Sequence, residues 1–247
     1  MEDHRQRFHT YQLRDCISMK IALIGYGKMG RLIEQIALSR GHMITAKISP
    51  SLKTKITAQA LAAAEVCIDF SHPECVLNNI EQLCHLKKSV VVGTTGWYDN
   101  LDQVKNLVQE YSIGLLYAPN FSIGIHLFLQ MIIQSAQLIA SFPEYDIGIT
   151  EAHHRHKVDS PSGTAKLIAS HLQQNHSKKE ECPISSFRCG SIPGTHTVYF
   201  DSPVDSITLT HQAHNREGFA LGSVQAAEWL IGKKGIFTLN DLFPGPQ

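Results

Sequence analysis

Ile21-Ala22-Leu23-Ile24-Gly25-Tyr26-Gly27-Lys28-Met29-Gly30 is the stretch whose reading settles the fold class. The opening apolar run is short and ends in glycines, as a strand covered on both faces does. From Met29 the apolar residues recur at Met29, Leu32, Ile33, Ile36 and Ala37, the spacing of a helix with one buried face. Between them lies G-x-G-x-x-G. In the order strand, turn, helix, such glycines let the backbone approach a pyrophosphate, and the free N–H groups at the helix start meet its charge. A plain glycine turn is the bland alternative, but the position after the first strand favours dinucleotide binding, with Gly25, Tyr26, Gly27, Lys28, Met29 and Gly30 as candidate contacts.

Working outward, Gly41 ends that helix and a second strand runs from Met43 to Ile48. Further buried-strand runs are Val66–Phe70, Ser89–Val92 and Ile113–Tyr117, with helical stretches between them. Short apolar strands alternating with helices predict a doubly wound, Rossmann-like parallel sheet. After Asn120 the pattern changes. A long apolar helix, Ile125–Ala140, leads to closely spaced strands at Tyr145–Thr150, Ile184–Cys189, His196–Asp201 and Ser206–Gln212, which predict an inserted α+β domain with an open mixed sheet. A helix over Phe219–Ile231 and a strand over Ile236–Leu239 return to the α/β pattern. The expected division is residues 19–123 with 217–247 for the dinucleotide domain and 124–216 for the insert. Residues 1–18 read as a flexible polar extension, and Gln173–Glu181 as a surface loop.

The 247 residues carry 22 Lys plus Arg against 22 Asp plus Glu, so no net field recruits nucleic acid or an anionic membrane. No apolar run approaches the roughly 20 residues of a membrane span, and the polar start lacks the core of a secretory signal. A soluble cytoplasmic protein is expected. Cys16, Cys67, Cys75, Cys84, Cys182 and Cys189 form no C-x-x-C pair and read as buried free thiols.

Three strand ends bear on a cofactor. No acidic residue closes the second strand. Lys47-Ile48-Ser49-Pro50 stands there instead, with Lys53 and Lys55 beyond, which favours a 2′-phosphate and hence NADPH over NADH, unless the lysines merely solvate a loop. Gly93-Thr94-Thr95-Gly96 and Ala118-Pro119-Asn120-Phe121 follow two further strands and belong at the carboxyl edge, where the nicotinamide end of a cofactor would lie; ordinary turn chemistry accounts for either alone.

The densest constellation is Glu151-Ala152-His153-His154-Arg155-His156-Lys157-Val158-Asp159-Ser160-Pro161-Ser162-Gly163-Thr164-Ala165. It follows a strand and opens a helix over Ala165–Leu172, so the Gly163 and Thr164 amides are poised for a carboxylate. Histidine and lysine there suit protonation of an imine or enamine, and the neighbouring cations should keep at least one histidine pKa low. A metal held by His153, His154, His156 and Asp159 is the competing reading, but the string fits neither H-E-x-x-H nor a cysteine-based zinc pattern, and none is expected. A solvated basic loop is the bland alternative.

This string resembles the signature of the dihydrodipicolinate reductases. The likeness extends in order through Gly25–Gly30, Asp69-Phe70-Ser71-His72-Pro73, Gly93–Gly96, Ala118–Gly124 and Ser191-Ile192-Pro193-Gly194-Thr195-His196. The resemblance implies a Rossmann domain completed by the C-terminal segment and an insert whose open sheet builds a homotetramer. It implies that NADPH or NADH reduces a cyclic dicarboxylate, the dehydrated form of 4-hydroxy-tetrahydrodipicolinate, on the diaminopimelate route to lysine. His153 would be the general acid or base, and Lys157 a proton donor that also holds substrate. His154, Gly163 and Thr164 would bind its carboxylates, while Gly25–Gly30, Gly93–Thr95 and Ala118–Phe121 would meet the cofactor. Departures are the missing acidic residue near Ser49, a short Ser49–Ala64 stretch, and His126 where the family often has asparagine. A dinucleotide-binding regulator without chemistry, or a related amino-acid dehydrogenase, are the rival readings.

Overall fold

The computed structural model describes residues 18–175 and 182–244. The expected N-terminal extension, except Ser18, lies outside them, as do Cys16 and all but the first three residues of the expected Gln173–Glu181 loop. In chain order the elements are β1 (Lys20–Ile24), α1 (Lys28–Ser39), β2 (Met43–Ile48), β3 (Val66–Asp69), α2 (Pro73–His85), β4 (Ser89–Val92), α3 (Leu101–Tyr111) and β5 (Gly114–Tyr117). There follow α4 (Ile123–Ile139), β6 (Asp146–His153), α5 (Gly163–Asn175), β7 (Ile184–Arg188), β8 (Thr195–Asp201) and β9 (Ser206–Gln212), then α6 (Glu217–Leu230), β10 (Gly235–Phe237) and α7 (Leu239–Leu242). The chain divides into two compact units. The first takes the described residues up to Pro119 with Ser223–Pro244, and the second takes Asn120–Gly222.

The first unit is a six-stranded sheet in the order β10-β5-β4-β3-β1-β2, parallel at every pairing. All four residues of β3 are buried, as a strand covered on both faces requires. Val76, Ile80, Leu83, Val104 and Val108 of α2 and α3 pack with Cys67, Val90, Val92 and Leu115 of the sheet, each buried aliphatic contributing about 1.5–3 kcal/mol. Burial lifts the Cys67 thiol to about 12, so it is an inert packing residue. Not every cysteine follows it. Cys84 and Cys182 are buried, but Cys75 and Cys189 are exposed, because they sit on the solvent side of a helix and just past a strand end. The chain's return is pinned by Glu228 of α6, which takes two hydrogen bonds from Arg40 (2.7 and 2.9 Å) and one from the buried His42 (2.8 Å).

One expected helix is missing. Between β2 and β3 the chain makes only a 3₁₀ turn at Pro50–Leu52 and further turns, anchored by the buried Leu61 and Ala64. Pro50 and the polar Lys53–Lys55 run offer no second apolar row to dock a helix. β1 leads to β2 on one side and, across the sheet, to β3 on the other. The strand order therefore reverses beside Gly25, the place where open parallel sheets bind ligands.

The second unit is a mixed sheet, β7-β6-β8-β9, with β6 and β7 parallel and the other pairs antiparallel. Phe128, Ile132 and Ala136 of α4 and Ile168 and Leu172 of α5 cover one face against Ile149, Val198 and Phe200. On the opposite face, among the described residues, Phe187 is 58% and Tyr199 37% exposed. β6 runs three residues past its expected end at Thr150, and that extension sets the geometry of the site. Among the described residues no helix is long and apolar enough to cross a membrane.

Candidate active site

In the first unit the glycine turn has the form a phosphate cradle needs. Gly25 has φ +89°, and a Cβ there would collide with the Phe70 carbonyl; a Cβ on Gly30 would collide with the Gly25 carbonyl. Gly27 differs. It is the N-cap of α1, no side chain caps it, and a Cβ on it would meet nothing within 4 Å. Two glycines thus fold the turn, while the third leaves open space before the amides of α1, so the residues present fit a pyrophosphate. Tyr26 donates to Glu34, and Lys47 pairs with the same carboxylate at 2.6 Å while lying 4.8 Å over the Tyr26 ring. Burial opposes ionisation of Glu34, but Lys47 and Tyr26 hold its pKa below the usual carboxylate value. The charge of Lys47 is therefore spent locally, and Lys53 and Lys55 remain exposed.

The loops after β3 and β4 are tied together by one buried carboxylate. Asp69 accepts from the Ser71 amide (2.9 Å), the Ser71 hydroxyl (2.7 Å), the Thr94 hydroxyl (2.8 Å) and the Asn79 amide (2.9 Å). Burial raises its pKa, and these four donors oppose that. Thr94 accordingly turns inward, whereas Thr95 is exposed. Gly93 accommodates the Phe70 ring where any Cβ would clash. Ala118 is buried and donates to the Val92 carbonyl at 3.3 Å.

In the second unit the chemistry gathers at the end of β6. Residues two apart on a strand share a face, so Glu151 and His153 both turn inward, and their side chains are 0% and 10% exposed. The Glu151 carboxylate contacts His153 Nδ1 through Oε2. Its Oε1 accepts from Arg188 (2.6 Å) and from the Ser162 amide (3.3 Å). Burial pushes the Glu151 pKa up, but hydrogen bonds from Arg188, Ser186 and His153 bring it down to about 2. For His153, burial is the larger cause of a lowered pKa; Glu151 opposes it, and Lys157 and Arg188 add to it. The cations thus act in the expected direction, second to burial. His196 of β8 stands edge-on to His153, centroids 5.1 Å apart, accepts or donates at Ser162 Oγ (3.2 Å), and is driven by burial to about 4.

Ser162 also caps α5, its hydroxyl accepting from the Ala165 amide at 3.2 Å. Beyond it Gly163 is exposed with open space where a Cβ would be, and Thr164 is half-buried with its hydroxyl 3.5 Å from the Asn120 amide nitrogen. Lys157 pairs with Asp159 at 2.7 Å. Among the described residues His154 Nδ1 is buried with no partner.

Of the expected site residues, the fold puts His153, Lys157, His154, Gly163 and Thr164 within one strand end, loop and helix start. Pro119 ends the first unit, whereas Asn120 and the buried Phe121 belong to the second. Arg155 and His156 are exposed and do not join the buried group. Glu151, Arg188, His196 and Ser162 have no role in the sequence reading. The i, i+2 alternation of Glu151 and His153 was the signal for the first, hidden by ending the strand at Thr150. Arg188 reaches the site through the parallel register His153↔Arg188, which no local pattern announces. The four donors weighed for a metal do not converge; among the described residues the cluster that does is Glu151, His153 and His196, with donor atoms within 4.8 Å of one another. Arg188 and the Ser162 amide on Glu151 make it a site built around an anion rather than a cation.

The family model for the dihydrodipicolinate reductase N-terminus matches residues 19–121, and that for its C-terminus matches residues 124–243. A 4-hydroxy-tetrahydrodipicolinate reductase of Christiangramia forsetii is 38% identical over 234 residues, 91% of this chain and 97% of that one. The dipicolinate-bound dihydrodipicolinate reductase of Paenisporosarcina sp. TG-14 superposes with a TM-score of 0.74 at 23% identity, covering 92% of this chain and 100% of its own. Aspartate semialdehyde dehydrogenase II of Vibrio cholerae shares the fold more distantly, with a TM-score of 0.54, 11% identity and coverage of 87% and 98%. Matched in both halves and over nearly its whole described length, the chain belongs to the dihydrodipicolinate reductase family of oxidoreductases.

Proposed function

We propose that the protein reduces 4-hydroxy-tetrahydrodipicolinate, after loss of water, to tetrahydrodipicolinate on the diaminopimelate route to lysine, with NADPH or NADH as reductant. The observation that carries this reading is the buried Glu151–His153 pair beside the capped start of α5. The Gly163 and Thr164 amides, with His154 and Lys157, provide for the carboxylates of a small ring. Gly25–Gly30 would hold the pyrophosphate of the cofactor, with Gly93–Thr95 and Ala118–Phe121 toward its nicotinamide end, and the bound nicotinamide supplies a hydride to the ring. That addition leaves electron density on the nitrogen side of the substrate, and one proton must arrive there. His153 and Lys157 are the groups able to deliver it.

With Lys47 engaged by Glu34, exposed Lys53 and Lys55 and the Ser49–Ser51 hydroxyl pair (2.9 Å) are left for a 2′-phosphate. Nicotinamide absorbance, followed with substrate freshly made from pyruvate and aspartate semialdehyde by a synthase, should fall faster with NADPH than with NADH. Substrate-independent traces with intact cofactor binding would overturn the reading in favour of a regulator.

The open face of the second sheet supports a homotetramer. A sheet face carrying exposed Phe187 and Tyr199 among threonines offers apolar surface that a second copy would cover across a two-fold axis. Sedimentation should give the mass of four chains, and Tyr199→Asp should lower it. A wild-type monomer would refute the assembly.

A further inference from the structure

We propose that Glu151 and Arg188 are positioning residues: they hold His153 in one tautomer and orientation, the proton on Nδ1 and the Nε2 lone pair turned toward Gly194. The proposal deepens the reductase reading and rests on it for its kinetic part only.

The tautomer follows from what each atom can do. An ionised carboxylate only accepts, so the Glu151 contact obliges Nδ1 to carry hydrogen. In a neutral imidazole the other nitrogen is then a bare acceptor. Among the described residues the ring has no hydrogen bond at Nε2. A Cβ on Gly194 would stand 3.1 Å from that nitrogen, and Gly194, at φ +154°, has none. The groups facing the ring from every neighbouring element are Glu151 on β6, Arg188 on β7, His196 on β8 and Lys157 from the loop after β6. Only Glu151 among them stabilises the charged ring. Burial and the two cations disfavour it.

His153 in the free enzyme is therefore a proton acceptor at Nε2. It becomes a donor only after taking up a proton there, at which point Glu151 meets the imidazolium charge. Arg188 supplies the second half of the device. Its Nη2 donates to Glu151 at 2.6 Å and to the Asp159 carbonyl at 2.7 Å, so one guanidinium fixes both the carboxylate behind His153 and the loop that carries Lys157. Nη1 meanwhile donates to the Phe187 carbonyl at 2.8 Å, so the guanidinium plane is held at two nitrogens, which the single rotating ammonium of lysine does not reproduce.

The direct test is ¹⁵N NMR of the full-length protein labelled in histidine, at neutral pH and without substrate. Wild-type His153 should show a protonated Nδ1 and an unprotonated Nε2. Glu151→Gln presents an amide N–H to Nδ1, so the proton should move to Nε2, kcat should fall about 10³-fold, and the His153 limb of the pH profile should shift to lower pH. Losses up to about 10⁴-fold accompany the analogous carboxylate-to-amide change behind a catalytic histidine. Glu151→Asp should restore the Nδ1 tautomer and part of the rate. Arg188→Lys should lower kcat about tenfold with cofactor KM unchanged.

A wild-type ring protonated on Nε2 would overturn the proposal. So would a Glu151→Gln enzyme that loses melting temperature but keeps its rate and pH profile, the outcome of a merely structural pair. If Glu151→Gln does not fold, the wild-type tautomer and the Arg188→Lys rate still decide. Absence of turnover in the wild type would sink the reductase reading and leave the tautomer measurement standing.

Discussion

His153→Gln is expected to lower kcat by roughly 10² to 10⁴, the range for loss of a general acid or base, while cofactor affinity stays within about twofold of wild type. The asymmetry follows from the architecture. His153 lies in the second unit, on a strand end whose neighbours are Glu151, Arg188 and His196, whereas the glycine turn and the Asp69-tied loops belong to the first. Glutamine is close in size and can still donate to Glu151, so the buried carboxylate keeps a partner, and the fold should lose about 1 kcal/mol or less. What glutamine cannot do is exchange a proton near neutrality. The wild-type rate should carry a limb below the ordinary histidine value of 6.5, because burial moves the His153 pKa down, and that limb should vanish in the variant. Stopped-flow turnover against pH, with cofactor binding followed by nicotinamide fluorescence, measures both halves. Turnover within threefold of wild type would remove His153 from the chemistry and leave Lys157 as the proton source.

The fold was legible because its signals are local. β1, the glycine turn and α1 stand where the Ile21–Ala37 pattern puts them, and the remaining parallel strands fall within a residue or two of expectation. The exception, the helixless passage from β2 to β3, had no apolar periodicity behind it. The site was half legible for a different reason. Glu151 and His153 are polar residues buried on a strand, and polar residues in a charged string read as loop until it is known that their partners satisfy them. Those partners, Arg188 and His196, lie 37 and 45 positions along the chain from Glu151 and arrive by strand register, Glu151 opposite His196 and His153 opposite Arg188. Similarly, Lys47 read as a free charge near a cofactor, but Glu34, one helix back, had already claimed it.

The second large effect separates glycines that shape the dinucleotide turn from the one that faces its ligand. Gly25→Ala forces an L residue to φ +89°, which alone costs about 1–2 kcal/mol. The new methyl also meets the Phe70 carbonyl, on a backbone already fixed by the 2.8 Å bond from the Phe70 amide to Ile24. That collision cannot be relieved by rotating a side chain, and overpacking of this kind adds about 1–3 kcal/mol. The melting temperature should fall by about 5–15 °C, and cofactor binding should be lost with it. Gly27→Ala is the contrasting case. Gly27 already has φ −88° and open space around its missing Cβ, so melting should be unchanged. The methyl would nevertheless occupy the space through which a pyrophosphate reaches the α1 amides, and Kd for NADPH should rise at least tenfold, about 1.4 kcal/mol. A Gly27→Ala protein that binds NADPH as tightly as wild type would show that the pyrophosphate does not rest on this turn, whatever the motif suggests. A Gly25→Ala protein of normal stability would show that β1 and β3 can part at their carboxyl ends, which their unbroken parallel register from Ile21 to Ile24 argues against.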